Sequence, residues 1–232
     1  MQLKVLSWNI WMHGDTKKVS DFLGNCGADI IALQEVMVAH KTIELTKHFT
    51  NQLGYHHTFA DSFDDIVNGV KTKIGNAIFS KFPIKKSVTH TLSTKVSRVA
   101  IQADITLGNT VLHVFNTHFL HTHQKPSRLQ NDQAQSLATI LTKKNTILMG
   151  DFNALPYSNP INLLGRVLKN TDRNMLPTWS MYPEGCEHCS PQNLLYKLDN
   201  IFVSDDVRYS DFSVEKSDAS DHLPISAIID VA

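Results

Sequence analysis

Several polar residues in this sequence stand at the ends of apolar, strand-like runs, and their types belong together chemically. Asn9 follows LKVLSW, Glu35 follows DIIALQ, His118 follows LHVFNT, and Asp151 with Asn153 follows TILMG. Asp199 opens LDNIFVS, and Asp221-His222 comes just before LPISAII. Taken singly, an Asp or Asn at a strand end is a turn or cap residue and a lone His is a satisfied structural group. Taken together they argue for a site, because loops at the ends of core strands are where a rigid scaffold displays chemistry. In ILMGDFN an extended chain turns Asp151 and Asn153 to one side and Phe152 to the other.

The carboxylate and amide oxygens of Asn9, Glu35, Asp151 and Asp221 are hard ligands, suited to Mg²⁺ or Mn²⁺ rather than zinc. His118 and His222 then remain for proton transfer or for hydrogen bonds to a phosphate. Such a set fits phosphoester hydrolysis. The metal neutralises the phosphate, a carboxylate takes a proton from water, and histidines stabilise the developing charge.

Elements that would position these residues are legible in the apolar spacing. Val19, Phe22, Leu23 and Cys26 form the stripe of a helix capped near Asp15 or Thr16 and stopped by Gly27. Leu45, Phe49 and Leu53 predict a second helix ending at Gly54, and a third runs from about Arg128 to Thr142. Between these, GNAIFSK, KKSVTH, SRVAIQADI and NTVLHVFNTH predict consecutive strands. After NTILMGDFN come a short helix near Pro160–Leu168, an irregular stretch and three final strands. Two face-to-face sheets with helices outside are the layer arrangement that fits.

With 232 residues, 42% hydrophobic, the chain suits a single domain spanning 1–232 with a large core. A monomer is expected. The longest apolar runs are too short to span a bilayer, and three cysteines are too few to staple such a domain, so a cytoplasmic, reducing compartment is expected. Net charge is zero, which gives no global field toward nucleic acid or membrane. Locally, residues 66–103 hold seven basic side chains and no acid, whereas 199–221 hold seven acids against Arg208 and Lys216. That asymmetry would place a positive rim beside an acidic pocket, unless both runs are ordinary solvated faces.

The motifs SWNIW, LQEV, GNAIFSKFPI, NTHF, GDFNALP, LDNIFVS and SDHLPI occur in the order and approximate spacing of the endonuclease/exonuclease/phosphatase superfamily. The chain resembles it from Leu3 to Ile229, with a fold similar to deoxyribonuclease I. The resemblance implies a four-layer α/β/β/α sandwich of two mixed, largely antiparallel sheets. It implies Glu35 as the direct Mg²⁺ ligand with Asn9 binding metal or phosphate nearby, and Asp221 holding a second metal or a metal-bound water. Asp151 would activate the attacking water, and Asn153 would orient that water or a phosphate oxygen. His222, oriented by Asp199, would contact the scissile phosphate.

His118 and Trp11 place the chain in one branch of that resemblance. Relatives resembling exonuclease III carry a tyrosine-containing strand end at the first position and an acid at the second. The histidine favours the branch with deoxyribonuclease I, sphingomyelinases, deadenylases and inositol-phosphate phosphatases. Where deoxyribonuclease I supports its histidine with glutamate, the nearest equivalent is Asn76. A neutral amide makes His118 a hydrogen-bond donor rather than a strong acid. Arg98 matches a frequent family arginine and is expected at the phosphate. The expected activity is a Mg²⁺-dependent phosphodiesterase, with Mn²⁺ an alternative ion, and first a nuclease, drawing on the basic segment and on Lys125 and Arg128. A lipid or small-molecule phosphodiesterase is the alternative, and an inactive scaffold is a third reading that the intact motif positions disfavour. CEHC at 186–189 is half a zinc site lacking a second pair. A loop contributing specificity through Trp179, Tyr182 or His188 is the more economical reading.

Overall fold

The computed structural model describes residues 1–39, 45–67, 69–181 and 194–231. Two six-stranded sheets form its centre. The first contains β1 (Gln2–Asn9), β2 (Ile30–Ala39), β3 (His56–Val67), β4 (Val70–Ser80), β11 (Arg208–Val214) and β12 (Ile225–Asp230), in the order β11-β12-β1-β2-β4-β3. The second contains β5 (Ile84–Ser93), β6 (Arg98–Leu107), β7 (Thr110–His118), β8 (Thr146–Asp151), β9 (Lys169–Asn170) and β10 (Asp199–Val203), in the order β5-β6-β7-β8-β10-β9. β1 and β2 are parallel, as are β7 and β8. The remaining neighbours are antiparallel.

Three apolar layers account for the stacking. Val5, Ile30, Ile78, Ile101, Val114 and Met149 fill the space between the sheets. Trp8, Leu33 and Phe79 on the far face of the first sheet pack against Val19 and Leu23 of α1 (Thr16–Asn25), with α2 (Leu45–Leu53) beside it. Phe115, Leu148 and Phe202 on the far face of the second sheet pack against Leu137 of α3 (Arg128–Ile140) and Leu164 of α4 (Asn159–Gly165). Alternate residues of each central strand therefore face opposite apolar layers, which is why these strands are buried on both sides. The α/β/β/α order is the one the resemblance implies.

Most helix ends follow the sequence signals. Asp15 accepts hydrogen bonds from the backbone N–H groups of Lys17 and Lys18 at 3.0 and 3.1 Å, and Gly27 at φ 67° ends α1. α3 stops at Ile140, two residues short of the expected Thr142, because Leu141 is already extended. The 12-residue strand β3 was not expected from its sequence, HHTFADSFDDIV. It is an edge strand whose acids meet lysines of β4.

Topology gathers the polar residues. Asn9 ends β1, His118 ends β7 and Asp151 ends β8, while Glu35 lies within β2 at the register shift between Leu33 and Val36. Both parallel pairs thus deliver their C-terminal ends to one rim of the sandwich.

Candidate active site

Glu35 occupies that bulge with φ 58°, a left-handed conformation costly for a residue with a Cβ. The bulge turns its carboxylate off the sheet, where Met12 N–H donates to Oε2 at 2.9 Å and Asn9 Nδ2 donates to Oε1 at 3.1 Å. Asn9 Nδ2 also donates to Asp151 Oδ2 at 3.1 Å, and Trp11 N–H fixes the amide by donating to Oδ1 at 3.0 Å. Asn9 therefore bridges the two carboxylates through its nitrogen and sets their spacing.

Asp151 is the centre of the constellation. Strand β8 approaches β7 so closely that a Cβ on Gly150 would lie 2.1 Å from the Thr117 carbonyl oxygen. Glycine is required before Asp151 for that reason. Asn153, at φ 47°, donates its backbone N–H to Asp151 Oδ1 at 2.8 Å and Nδ2 to Oδ2 at 3.1 Å. Phe152 between them points the other way, edge-on to Phe119 and Phe202 in the layer beneath α3 and α4. Asp151 and Asn153 thus share one side opposite Phe152, although the chain leaves the extended conformation at Asn153.

Two histidines flank Asp151 with opposed character. His222 donates from Nδ1 to Asp199 Oδ2 at 2.8 Å and holds Nε2 3.7 Å from Asp151 Oδ2. Burial opposes its charge, but Asp199, Asp151 and Asp221 outweigh that and raise it to about 10. His118 Nε2 is 3.4 Å from the same Oδ2, yet burial pushes this imidazole down to about 3, so the contact is no ion pair. Asn153 Nδ2 faces His118 Nε2 at 3.0 Å, which makes that nitrogen the acceptor. His118 is thus neutral, and its Nε2 receives a hydrogen bond rather than giving one.

Asp221 accepts from Trp179 Nε1 at 2.9 Å. Burial pushes its carboxyl up to about 6, with Glu35 and Asp151 adding like charge against the lowering effect of His222 and Trp179. Arg98 reaches the same cleft with its guanidinium 5.1 Å from the Phe63 ring centroid, and its buried Nε has no hydrogen-bond partner among the described residues. The cleft measures about 460 Å³.

The donor set fits a hard divalent cation. Glu35, Asp151 and Asp221 offer carboxylate oxygens to the cleft, and the Asp221 carboxyl is raised by burial and, after it, by the negative charge of Glu35 and Asp151 that a cation would relieve. Asp151, Asp199 and His222 also bring ligand atoms within 4.8 Å of one another. There His222 Nδ1 is already committed to Asp199, so this trio forms a chain of alternating charge in preference to a metal site.

Of the sequence-derived residues, Asn9, Glu35, Arg98, His118, Asp151, Asn153, Asp221 and His222 line one cleft, and Asp199 stands directly behind His222. Asn76 is not among the residues that line the cleft: it is buried, and its Nδ2 donates to the Val99 carbonyl at 3.3 Å. Trp179, expected to contribute specificity from a loop beside the site, is a buried residue of the cleft lining, stacked on Tyr196. Tyr182, Cys186, His188 and Cys189 lie outside the described residues.

Sequence reasoning missed His121 and His123. His121 Nδ1 donates to Asn153 Oδ1 at 2.8 Å, and its Nε2 lies 3.1 Å from His123 Nδ1, so the pair extends the polar rim. Their signal was the run HFLHTH itself, three histidines at short spacing directly after the strand end. Phe63 was missed because β3 was.

A model of the Endonuclease/Exonuclease/phosphatase family matches residues 6–222. No curated protein matches the chain by sequence. Among solved structures, the endonuclease/exonuclease/phosphatase from Beutenbergia cavernae DSM 12333 is similar at TM-score 0.80 and 17% identity, over 100% of this chain and 72% of that one. The human Nocturnin catalytic domain with bound sulfate gives 0.76 and 19%, over 100% and 95%. The mannosyl-6-phosphatase of Bacteroides thetaiotaomicron VPI-5482 gives 0.69 and 19%, over 98% and 99%. At such identities these likenesses establish the fold.

Proposed function

The chain belongs to the endonuclease/exonuclease/phosphatase family, and on that premise we propose that it is a divalent-metal-dependent phosphoester hydrolase acting on a small or chain-terminal phosphoester. The observation that carries this reading is Asp151, whose Oδ2 is held by the Asn9 and Asn153 amides and flanked by one charged and one neutral imidazole on the floor of a cleft.

Each residue has work that follows from its contacts. Asp151, fixed by amide donors, accepts the proton of the attacking water. His222, kept charged by Asp199, faces the charge that develops on the phosphate. Arg98 offers unsatisfied N–H donors to a phosphate oxygen. Neutral His118 fixes the Asn153 amide, and with it the carboxylate. Glu35 and Asp221, with Asn9 setting the carboxylates, would hold Mg²⁺ or Mn²⁺, which supplies neutralisation of the phosphate oxygens when bound.

The substrate class shifts from the nuclease expectation. Lys71, Lys73 and Lys81 of the basic segment pair with Asp64, Asp61 and Asp29 at 2.9, 2.7 and 2.9 Å. Three of the seven basic side chains of that segment are therefore neutralised, and the cleft is walled by aromatic and imidazole rings with Arg98 and the charged His222 as its cations. Tracking a long phosphate backbone needs more unpaired positive charge than this. Among similar folds, one is a mannosyl-6-phosphatase and another binds sulfate, a tetrahedral oxyanion. A nuclease is the second reading, favoured by exposed Lys125 and Arg128 beside the cleft.

The test is turnover with Mg²⁺ or Mn²⁺ of sugar phosphates, inositol phosphates, bis(p-nitrophenyl) phosphate, sphingomyelin, single-stranded RNA and plasmid DNA, beside Asp151→Asn and His222→Ala. Metal-dependent turnover that falls about a hundredfold or more in both variants is expected. Absence of turnover on every substrate by metal-loaded wild type sinks the enzyme reading, and activity surviving both variants sinks the assignment.

A further inference from the structure

Behind the cleft lies a lysine that the reaction described above does not use. Lys197 is 3% exposed at its side chain, and its ammonium pairs with the fully buried Asp172 at 2.8 Å. Lysine is seldom buried without such a partner. Burial pushes the Lys197 pKa down, and Asp172 and Asp199 act against that.

The surroundings of this pair explain what it holds. Asp172 is saturated: Oδ1 accepts from the N–H groups of Asn174 and Met175, and Oδ2 accepts from Leu176 N–H as well as Lys197. The carboxylate is thus pinned to its own loop, and the ammonium is pinned to the carboxylate. A second ammonium donor goes to the backbone carbonyl of Asp199 at 3.0 Å, and the group rests 5.3 Å from the Phe212 ring centroid.

Among the described residues, β9 covers β10 at Phe202 and Val203, with Thr171 N–H reaching back to Ile201. At Asp199 side chains take the backbone groups on that edge. Thr178 Oγ1 accepts its N–H at 3.3 Å, and Lys197 Nζ donates to its carbonyl. Both peptide planes flanking Asp199 are thereby fixed, which aims the carboxylate at His222 Nδ1. Its other oxygen, Oδ1, is buried without a hydrogen bond among the described residues, so there direction toward His222 rests on backbone placement and the one 2.8 Å contact.

We infer that Lys197, anchored by Asp172, is a positioning residue that holds Asp199 in register with His222. Buried charges then alternate from the Asp172 loop, beside Phe212 of β11, to the cleft: Asp172, Lys197, Asp199, His222, Asp151. The catalytic consequence rests on the hydrolase reading; the positioning itself does not.

The test uses the full chain with Lys197→Met/Asp172→Asn, which removes both charges together and leaves no unpaired buried charge, and with Lys197→Arg, which keeps the cation. The first readout is the low-field imidazole N–H proton of His222 in the ¹H NMR spectrum, assigned by its disappearance in His222→Gln. It is expected to move upfield or broaden in the double variant and to return in Lys197→Arg, while the far-UV circular dichroism stays that of wild type. The second readout is steady-state kinetics on whichever substrate wild type turns over. A fall in kcat of about tenfold or more with KM little changed is expected, with recovery in Lys197→Arg. A double variant with an unaltered His222 N–H resonance overturns the inference, whether or not wild type is active. Loss of fold in the double variant with full folding of Lys197→Met alone also overturns it. Lack of wild-type turnover instead removes the hydrolase reading and leaves the resonance to judge the positioning.

Discussion

His222 Nδ1 and Asp199 Oδ2 lie 2.8 Å apart across 23 residues of sequence, and this contact gives His222 the opposite protonation state from His118 on the other side of Asp151. His222 is raised from 6.5 to about 10 by its carboxylates despite burial. His118 is lowered from 6.5 to about 3 by burial.

The two shifts act on stability with opposite signs. His222 contributes stability that is fully present below 6.5 and is lost as pH rises through about 10. His118 contributes stability that is present above 6.5 and is lost as pH falls toward about 3. Asp221, raised from 3.8 to about 6, offsets part of the acid-side loss between those values. Metal-free protein is therefore expected to be most resistant to urea near neutral pH. Long-range ¹H–¹⁵N spectra at pH 7 should show His222 protonated on both nitrogens and His118 on one. A neutral His222, or a stability maximum well outside the neutral range, contradicts the arrangement.

Metal binding should itself depend on pH. A cation held by Glu35 and Asp221 needs Asp221 ionised, and this carboxyl stays protonated up to about 6. Affinity for Mn²⁺ is expected to be level above neutral and to fall about tenfold for each pH unit well below 6. Asp221→Asn should bind more weakly at pH 8 and lose that step. Calorimetric titration across pH checks both, and an unchanged pH dependence in the variant removes Asp221 from the metal site.

Trp179 tests the same carboxylate from its other side. Its Nε1–H donates to Asp221 Oδ2 at 2.9 Å and lowers the pKa that burial raises. Trp179→Phe keeps a ring against Tyr196 and removes only the donor. A hydrogen bond to a charged group contributes about 1.5–3 kcal/mol. Mn²⁺ affinity at pH 7 should fall about tenfold, with less loss at pH 9 as Asp221 ionises regardless. Equal affinity at both pH values would reduce Trp179 to a cleft wall.

Legibility in the sequence followed the range of the interaction. Asn9, His118 and Asp151 were readable because each sits where an apolar strand ends, a local pattern. Helix caps were readable for the same reason. β3 was not, because Asp61 and Asp64 are satisfied by Lys73 and Lys71 across the hairpin, and such pairing makes an edge strand look like a polar loop. Lys197 resembles any solvated lysine until the fold brings Asp172 to it. Strand position alone does not say whether a polar side chain reaches the rim or bonds inside, as Asn76 does to the Val99 carbonyl. The link between His222 and Asp199 came from family resemblance; spacing carried no trace of it.

Gly150 ties the core to the chemistry. At φ 152° it brings β8 against β7, and an added Cβ would meet the Thr117 carbonyl carbon at 3.0 Å as well as its oxygen at 2.1 Å. Both are backbone atoms in the middle of a ladder, so neither can swing aside as a side-chain end would. Gly150→Ala must therefore separate the strands next to Asp151. The backbone pairing of Thr117 with Gly150 and of His118 with Asp151 would open, and Asp151 would shift relative to Asn9 and His222. Unfolding free energy is expected to fall by about 3 kcal/mol or more. At temperatures where the variant stays folded, metal-dependent turnover should fall much further than the folded fraction does. Ala154→Gly, in the same buried layer but beyond the site residues, serves as the comparison: it should lose stability alone. A Gly150→Ala protein with wild-type stability and activity would show that β7 and β8 are not as closely apposed as the Asp151 geometry requires.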